Sequence, residues 1–300
     1  MTTPPNQVLV QPEPDRRRSV FGNYLPSGGN ASPAVPADAP SLPAGNPATA
    51  LARSFVHQWL ARAFGYPAQE TWSWLCAPRV LATLGAAVSG VAPRVTASLH
   101  TAFASLRAVC TAEAFGPFHE DYIIAIGHAA RGSCPVNEIE YGDLKADPLF
   151  QPHRLADLAA FYQAFGLELG PEADERPDHL SVELEFMGVL AAQEATALTP
   201  PVNSSGLGIC QDAQSKFLRE HLGRWTPAFT RRLARVAGER ALSALGRFAL
   251  AFVESECHRF GVKPGSEDLL LRPADAGAAL CEGCGLSQKL PGIDAVESGA

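Results

Sequence analysis

The sequence predicts an all-α protein. Apolar residues recur at helical spacing in one segment after another, and glycine or proline ends most of these segments. The β-branched runs of period two that are typical of strands do not occur. We therefore predict one globular helical domain of about nine to ten helices over residues 48–262. A disordered Pro/Gly/Ala-rich tail is predicted over residues 1–47, and an irregular C-terminal tail over residues 263–300.

The helices can be placed in order from their apolar faces. Thr49 is predicted to cap the first helix, which ends before residues 65–67. Residues 199–211 read as a Ser/Gly-rich linker after a central helix that begins near residue 178. The remaining helices are predicted over residues 70–76, 80–88, 93–110, 118–126, 152–165, 212–222 and 241–260, with a basic helix that ends at residue 236.

The central helix is mostly apolar around its circumference, which predicts that it is buried. Its main face and its extension carry Leu180, Val182, Leu184, Phe186, Met187, Val189, Leu190 and Ala191. The opposite, narrow side is predicted to face water and carries Asp178, Ser181, Glu185, Gly188 and Ala192.

Two polar residues fall inside the apolar arc of this helix. His179 and Glu183 are four positions apart, so their side chains can meet on one face. A buried, unpaired carboxylate is costly, so Glu183 needs a partner, and His179 is the nearest candidate. Two interpretations stay open: a satisfied core pair that fixes helix packing, or a helix start at which Asp178 and His179 border a ligand groove.

Composition restricts the class of partner. The net charge of −7 argues against a nucleic-acid partner and suits a basic peptide. Seven cysteines, odd in number and mostly scattered, indicate a reducing compartment. No apolar run reaches the length of a signal peptide or a membrane span, so we expect a soluble, cytoplasmic protein that does not act in a membrane.

One segment of the N-terminal tail superficially resembles a twin-arginine export motif. Arg16-Arg17-Arg18-Ser19-Val20-Phe21 is followed by Gly, Asn and Pro where an export signal has its apolar segment, so export is not predicted. The arginines are opposite in charge to the acidic body. The tail is therefore hypothesised to fold back and occupy a peptide groove as an internal decoy.

The loop over residues 133–142 has no helical stripe and is rich in acidic groups. Glu138, Glu140 and Tyr141 form either a solvated turn or a set of acceptors for a basic ligand, because carboxylates make charge-assisted bonds to guanidinium groups.

A metal or redox site is the alternative from another class. Cys281 and Cys284 have the spacing of half a zinc site, with Cys257 and His258 as the nearby candidates for the other half; otherwise they are two reduced thiols in a flexible tail. We predict no cofactor. The catalytic motifs of phosphate loops, metal helices, nucleophile elbows and dinucleotide folds are absent from the sequence, and an enzyme would have only His179 and Glu183 as an acid–base pair.

Five motifs in register resemble one family over roughly residues 50–260. They are the Tyr122 helix ending at Gly127, the Cys134-Pro135 loop through Tyr141, the Phe161–Gly166 helix end, Pro177-Asp178-His179-Leu180 with Glu183 and Glu185, and Phe217–Leu222 with Trp225-Thr226-Pro227. Together they are similar to the TorD/DmsD/NarJ family of maturation chaperones for molybdenum-cofactor enzymes. Ala125-Ile126 stands where the family often has Leu-Phe, and the long head and the Cys-bearing tail are additions.

The resemblance implies a non-enzymatic, all-helical, cytoplasmic chaperone. It implies a partner, the catalytic subunit of a molybdopterin-containing oxidoreductase with its twin-arginine signal peptide, which is held for cofactor insertion and kept from premature export. The positions matching Asp178 and His179 are implicated in signal-peptide recognition. The acidic loop further resembles members that serve ethylbenzene, dimethyl-sulfide, selenate and chlorate enzymes. We expect the client-binding residues to be Asp178, His179, Glu183, Glu138, Glu140 and Tyr141.

Overall fold

The computed structural model describes residues 21, 45–91, 97–127, 132–142, 150–170, 173, 175–238 and 240–272. Within these ranges the fold consists of ten α-helices and two short 3-10 turns, Ala112–Ala114 and Glu138–Glu140. The helices are α1 Pro47–Phe64, α2 Gln69–Leu75, α3 Pro78–Val91, α4 Ala97–Val109, α5 Phe115–Ala125, α6 Phe150–Ala164, α7 Leu180–Leu198, α8 Ser204–Glu220, α9 Leu222–Val236 and α10 Ala241–Arg259. The described ranges hold two isolated β-bridges and no strand, so the all-α prediction is confirmed.

Helix α7 lies at the centre of the fold. Helix α1 packs along one side of it and α8 along another, while α9 and α4 pack on α10. The predicted burial of α7 is confirmed, but its predicted water-facing side is wrong at three positions, because Asp178, Ser181 and Gly188 are all buried. At Gly188 a Cβ would come within 3.1 Å of Gln58 Cγ, so the glycine permits the close approach of α1.

Two helix starts differ from the sequence prediction. Helix α1 begins at Pro47 behind Asn46, whose side chain accepts a hydrogen bond from Ala48 N, so Thr49 is not its cap. The predicted linker over residues 199–211 is wrong in its second half. Asn203 caps α8 by accepting from Gly206 N at 2.9 Å, and this cap allows the Ser/Gly-rich stretch that follows to be helical.

Four helices are joined by a buried group of charged and polar side chains, here called the core charge cluster. Arg53 of α1 donates to Glu256 of α10 at 2.6 and 2.8 Å, and to Glu194 of α7 and Gln214 of α8 at 2.5 Å each. His57 lies 3.2 Å from Glu256, and all five side chains are fully buried. Burial alone would raise the pKa of Glu256, but the charge of Arg53 outweighs it and holds that pKa far below its usual range.

Within the described residues, no single helix combines the length and apolarity that crossing a membrane requires. Helices α2 and α3, bent by 54° at their junction, meet the criteria of length and composition only as a pair. The predictions for residues 1–20, 22–44 and 273–300, which include Cys281 and Cys284, lie outside the described residues.

Candidate functional site

The acidic loop and the start of α7 form one structural unit, although they are about forty positions apart in the sequence. Glu138 N donates to Asp178 O at 2.8 Å, and Leu180 N donates to Val136 O at 3.0 Å. Between these two bonds, Asn137 and His179 form an antiparallel bridge. The two stretches that carry most of the predicted site residues are therefore held side by side.

Asp178 holds this unit together from inside. Its carboxylate is fully buried and accepts from Ile139 N at 3.3 Å and from the Asn137 amide at 3.4 Å. Arg176 approaches the same carboxylate with two nitrogens, at 3.0 and 3.1 Å. Burial raises the pKa of Asp178 above its usual value, while Arg176 and the Ile139 amide act to lower it. This one carboxylate therefore contacts both the acidic loop and the segment that leads into α7.

His179 is the N-cap of α7. Its Nδ1 accepts from Ser181 N at 3.2 Å and lies 2.7 Å from Ser181 Oγ. Burial, together with the positive charge of Arg176, lowers the pKa of His179 to about 3. The ring is therefore neutral at physiological pH, and a neutral ring nitrogen is what the cap requires.

The predicted pairing of His179 with Glu183 is wrong. Glu183 instead accepts from the indole Nε1 of Trp225, at 3.1 and 3.3 Å to its two oxygens. Burial raises the pKa of Glu183 well above its usual value, and the nearby charge of Glu138 adds to the effect. Spacing along α7 could not reveal this contact, because its donor stands on α9.

Glu138 is the most heavily paired carboxylate of the loop. It is fully buried and lies 2.9 Å from His221 Nδ1 and 3.0 Å from guanidinium nitrogens of Arg154 and Arg224. Burial would raise the pKa of Glu138, but the His221 hydrogen bond and the two arginine charges outweigh it and lower that pKa.

The solvated-turn interpretation of the acidic loop is wrong for Tyr141 as well as for Glu138. Tyr141 is fully buried, its hydroxyl donates to Pro135 O at 2.7 Å, and its ring centroid lies 5.2 Å from that of Trp225. Glu140, the third residue predicted in this loop, is half-buried.

The charges of this site are arranged with the acids inside and the bases outside. Glu138 and Asp178 are sealed, whereas the side chains of Arg154, Arg224 and Arg176 are 16%, 22% and 48% exposed. We call these five residues the loop charge cluster. Sequence reasoning found its carboxylates but missed its arginines, which come from three separate segments; the only local signal was Arg176, two residues before Asp178.

An aromatic pocket adjoins the loop charge cluster. Tyr162 of α6 donates its hydroxyl to Pro177 O at 2.7 Å, directly before Asp178. Its ring packs on Phe186 of α7 at 4.9 Å, and Phe186 in turn packs on Phe217 of α8 at 4.9 Å. We define the aromatic pocket by these three rings. Burial raises the pKa of Tyr162 well above its usual value, and the charges of Glu183, Glu138 and Asp178 add to the effect.

A metal centre finds no support among the described residues, where no group of three His, Cys, Asp or Glu side chains could hold an ion. Cys257 is buried in the core, and burial raises its pKa to about 12, whereas His258 is exposed. These two candidate ligands therefore do not share one site.

The family described as nitrate reductase delta subunit matches residues 92–231. This span includes the acidic loop, the start of α7 and Trp225.

Named relatives match shorter parts of the chain. The chlorate reductase assembly chaperone protein of Ideonella dechloratans is 36% identical over 110 residues, which are 37% of this chain and 54% of the relative. Chaperone protein TorD of Vibrio cholerae is 33% identical over 95 residues, 32% of this chain and 41% of TorD. The perchlorate reductase assembly chaperone protein of Dechloromonas aromatica is 28% identical over 179 residues, 59% of this chain and 75% of the relative. No solved structure matches.

The relatives that match this chain are chaperones, and two of them are named as assembly chaperones of reductases. Residues 92–231 are similar to the TorD/NarJ family, as the motifs in this part of the chain predicted. The chain spans about half the length of the first two relatives it matches, 54% of one and 41% of the other.

Proposed function

We propose that this chain is a cytoplasmic assembly chaperone for the catalytic subunit of a molybdenum-cofactor oxidoreductase. It binds the twin-arginine signal peptide and the immature subunit, assists insertion of the cofactor and prevents premature export. The relatives named as chlorate and perchlorate reductase assembly chaperones support this class of client. The observation that carries the proposal is the joining of the acidic loop to the α7 start, because two family-like motifs meet there as one hydrogen-bonded unit.

The arrangement of charges supports a specific means of recognition. Asp178 is buried, yet its partner Arg176 is 48% exposed and holds the carboxylate with two nitrogens. An arginine of the signal peptide can replace Arg176 in that position without leaving a buried carboxylate unpaired, which would be costly. The incoming guanidinium can form the same bidentate contact with the carboxylate that Arg176 makes.

Glu138 offers a second position for the same exchange. Its partners Arg154 and Arg224 are 16% and 22% exposed, and each lies 3.0 Å from it. Three further predicted residues act on position rather than on charge. His179 caps α7, while Glu183 and Tyr141 fix Trp225 and the loop from within. A partially exposed pair can exchange partners, whereas a sealed pair cannot.

The experiment is a binding titration of the full chain with a fluorescent peptide that carries two consecutive arginines before an apolar stretch. We expect saturable binding that weakens as salt rises, since charge pairs are screened. A matched peptide with two lysines should bind at least about tenfold more weakly, because lysine cannot form the bidentate contact.

A client test accompanies the peptide test. The full chain should co-purify with the catalytic subunit of a molybdenum-cofactor reductase that carries its leader, and less so with the same subunit lacking the leader. Equal binding of the arginine and lysine peptides would overturn the recognition mechanism. Failure to bind either peptide or the subunit would overturn the proposed function.

A further inference from the structure

Phe21 occupies the aromatic pocket. It is 5% exposed, and its ring centroid lies 5.1 Å from that of Tyr162 in an edge-to-face arrangement and 6.4 Å from that of Phe186. The next described residue in the chain is Gly45. The ring that fills the pocket therefore comes from a position far upstream in the sequence of the helices that form its walls.

The pocket is suited to an incoming aromatic or aliphatic side chain. Three helices each contribute a ring, and edge-to-face contacts among such rings add about 0.5–1.5 kcal/mol each beyond simple burial. Without Phe21, the faces of Tyr162 and Phe186 that it covers would be open, and exposed aromatic surface is unfavourable in water. The pocket thus favours an occupant.

The position of the pocket relates it to the proposed peptide site. Tyr162 is hydrogen-bonded to the carbonyl next to Asp178, so an occupant of the pocket lies beside the loop charge cluster. In the sequence, Arg16, Arg17 and Arg18 precede Phe21 by three to five positions. Arg18 is therefore only three positions in the sequence from the residue that fills the pocket.

We propose that Phe21 is an internal competitor for client leaders: it fills the aromatic pocket that receives an apolar side chain of the twin-arginine peptide, and the peptide must displace it. This inference rests on the proposed function. We call the sequence around Phe21 the N-terminal arm. Its arginine run precedes Phe21, so the arm has basic residues followed by an apolar one, in the same order as the ligand. Only a client leader that out-competes the arm gains the site.

The test compares the full chain with its Phe21→Ala and Phe21→Leu variants. If the pocket is filled by Phe21 for most of the time, its apparent affinity is reduced by the fraction that is open, and removing the ring raises affinity accordingly. We expect Phe21→Ala to bind the fluorescent twin-arginine peptide about tenfold more tightly, for a pocket open about a tenth of the time. Phe21→Leu should give a smaller gain.

A matched control separates this effect from general loosening of the core. Phe103 on α4 is 8% exposed and packs on Phe248 of α10, away from the aromatic pocket. Phe103→Ala should lower thermal stability without raising peptide affinity. Equal or lower affinity in Phe21→Ala than in the wild type, with the fold intact by circular dichroism, overturns the proposal.

A second measurement tests the arm without any client leader. A free peptide of residues 13–27 should bind to the Phe21→Ala chain and much more weakly to the wild-type chain, whose pocket is filled. The same peptide with Phe21→Ala should bind to neither. If this peptide binds as expected but twin-arginine peptides never bind, the arm occupies the pocket and the proposed function is wrong. If neither free arm peptide nor leader prefers the Phe21→Ala chain, the competitor role is wrong.

If Phe21→Ala does not fold, fluorine resonance on the full chain with Phe21→4-fluorophenylalanine decides the question. The signal should move to the position of free peptide as twin-arginine peptide is added. A signal that stays unchanged at saturating peptide overturns displacement.

Discussion

The core charge cluster and the loop charge cluster contain the same kinds of groups, but they differ in access to water. In the core cluster the side chains of Arg53, Glu194 and Glu256 are all 0% exposed. Arg259 also reaches this cluster and is 26% exposed, but it approaches Glu194 only to 3.5 Å, so the pairs made by Arg53 are sealed. In the loop cluster the carboxylates are equally buried, but their arginine partners are between 16% and 48% exposed. A sealed pair has no route for exchanging partners, so it fixes helix packing. A pair that is open on its cationic side can give up its arginine to another guanidinium.

The largest effect should come from removing the cation of the sealed cluster. Arg53→Met leaves Glu194 and Glu256 without their central partner, and breaking a buried pair in this way costs about 3–5 kcal/mol. Urea unfolding followed by circular dichroism measures the loss. Arg231→Met is the matched control, because its partners Asp268 and Glu267 are 79% and 54% exposed. The control should lose at most about 1 kcal/mol; similar losses in the two variants would contradict the distinction.

Two glutamates should respond to pH in opposite directions. The pKa of Glu256 is lowered from 4.5, so its contribution to the free energy of unfolding is present above pH 4.5 and is lost as pH falls. Glu256→Gln should cost about 2–3 kcal/mol near pH 7, as expected for a buried charged partner, and less as pH drops below 4.5.

The pKa of Glu183 is raised from 4.5, so the folded state retains a proton that the unfolded state gives up. Wild-type stability relative to Glu183→Gln should therefore fall as pH rises above 4.5. The glutamine keeps an acceptor for Trp225 Nε1. Urea unfolding of both variants and the wild type between pH 4 and pH 8 checks the signs; parallel pH dependences would contradict them.

The exchange mechanism predicts opposite effects for the two partners of one ion pair. Arg176→Gln removes the resident competitor and should strengthen twin-arginine peptide binding, whereas Asp178→Asn removes the acceptor and should weaken it about tenfold, or about 1.4 kcal/mol. Fluorescence anisotropy with the labelled peptide measures both.

Amide hydrogen exchange at Ile139 gives the control for loop position, because this amide donates to Asp178 Oδ2. If Arg176→Gln weakens peptide binding as much as Asp178→Asn does and both expose the Ile139 amide, the ion pair only positions the loop. The proposed exchange of guanidinium groups at Asp178 would then be wrong.

The helical architecture was accessible from the sequence because each buried face repeats at helical spacing within a single segment. Helix α10, predicted over residues 241–260 and found at Ala241–Arg259, is an example. The start of α8 was missed because Ser and Gly have weak helix propensity, so composition favoured a linker. The cap at Asn203 depends on a side-chain hydrogen bond that composition does not reveal.

The site was accessible only in part, because its contacts are long-range. Proximity on one helix suggested His179 as the partner of Glu183, but the α7 start needed a cap acceptor, and His179 supplies it to Ser181 N. Glu183 then pairs with Trp225, 42 positions away. Polarity suggested that the acidic loop is solvated, yet Arg154 and Arg224 cover Glu138 from α6 and α9. Patterns within one segment identify buried helices, but they predict the pairing of polar side chains poorly.

The smallest predicted effect concerns the cap at His179. Its measurement distinguishes a purely local role of His179 as a helix cap from participation in the exchange of arginines. His179→Ala removes the acceptor for Ser181 N and should cost about 1 kcal/mol of unfolding free energy at pH 7, whereas His179→Asn, a good N-cap, should restore most of it. Because the pKa of His179 is lowered from 6.5 to about 3, the unfolded chain binds a proton that the folded chain does not, and wild-type stability falls as pH drops below 6.5. Asparagine has no such pH dependence, so the free energy of unfolding of His179→Asn, measured with urea, should exceed that of the wild type near pH 5.

The peptide affinity of His179→Asn at pH 7 should equal that of the wild type. A loss of affinity with the free energy of unfolding unchanged would show that the His179 ring contacts the ligand and is more than a cap.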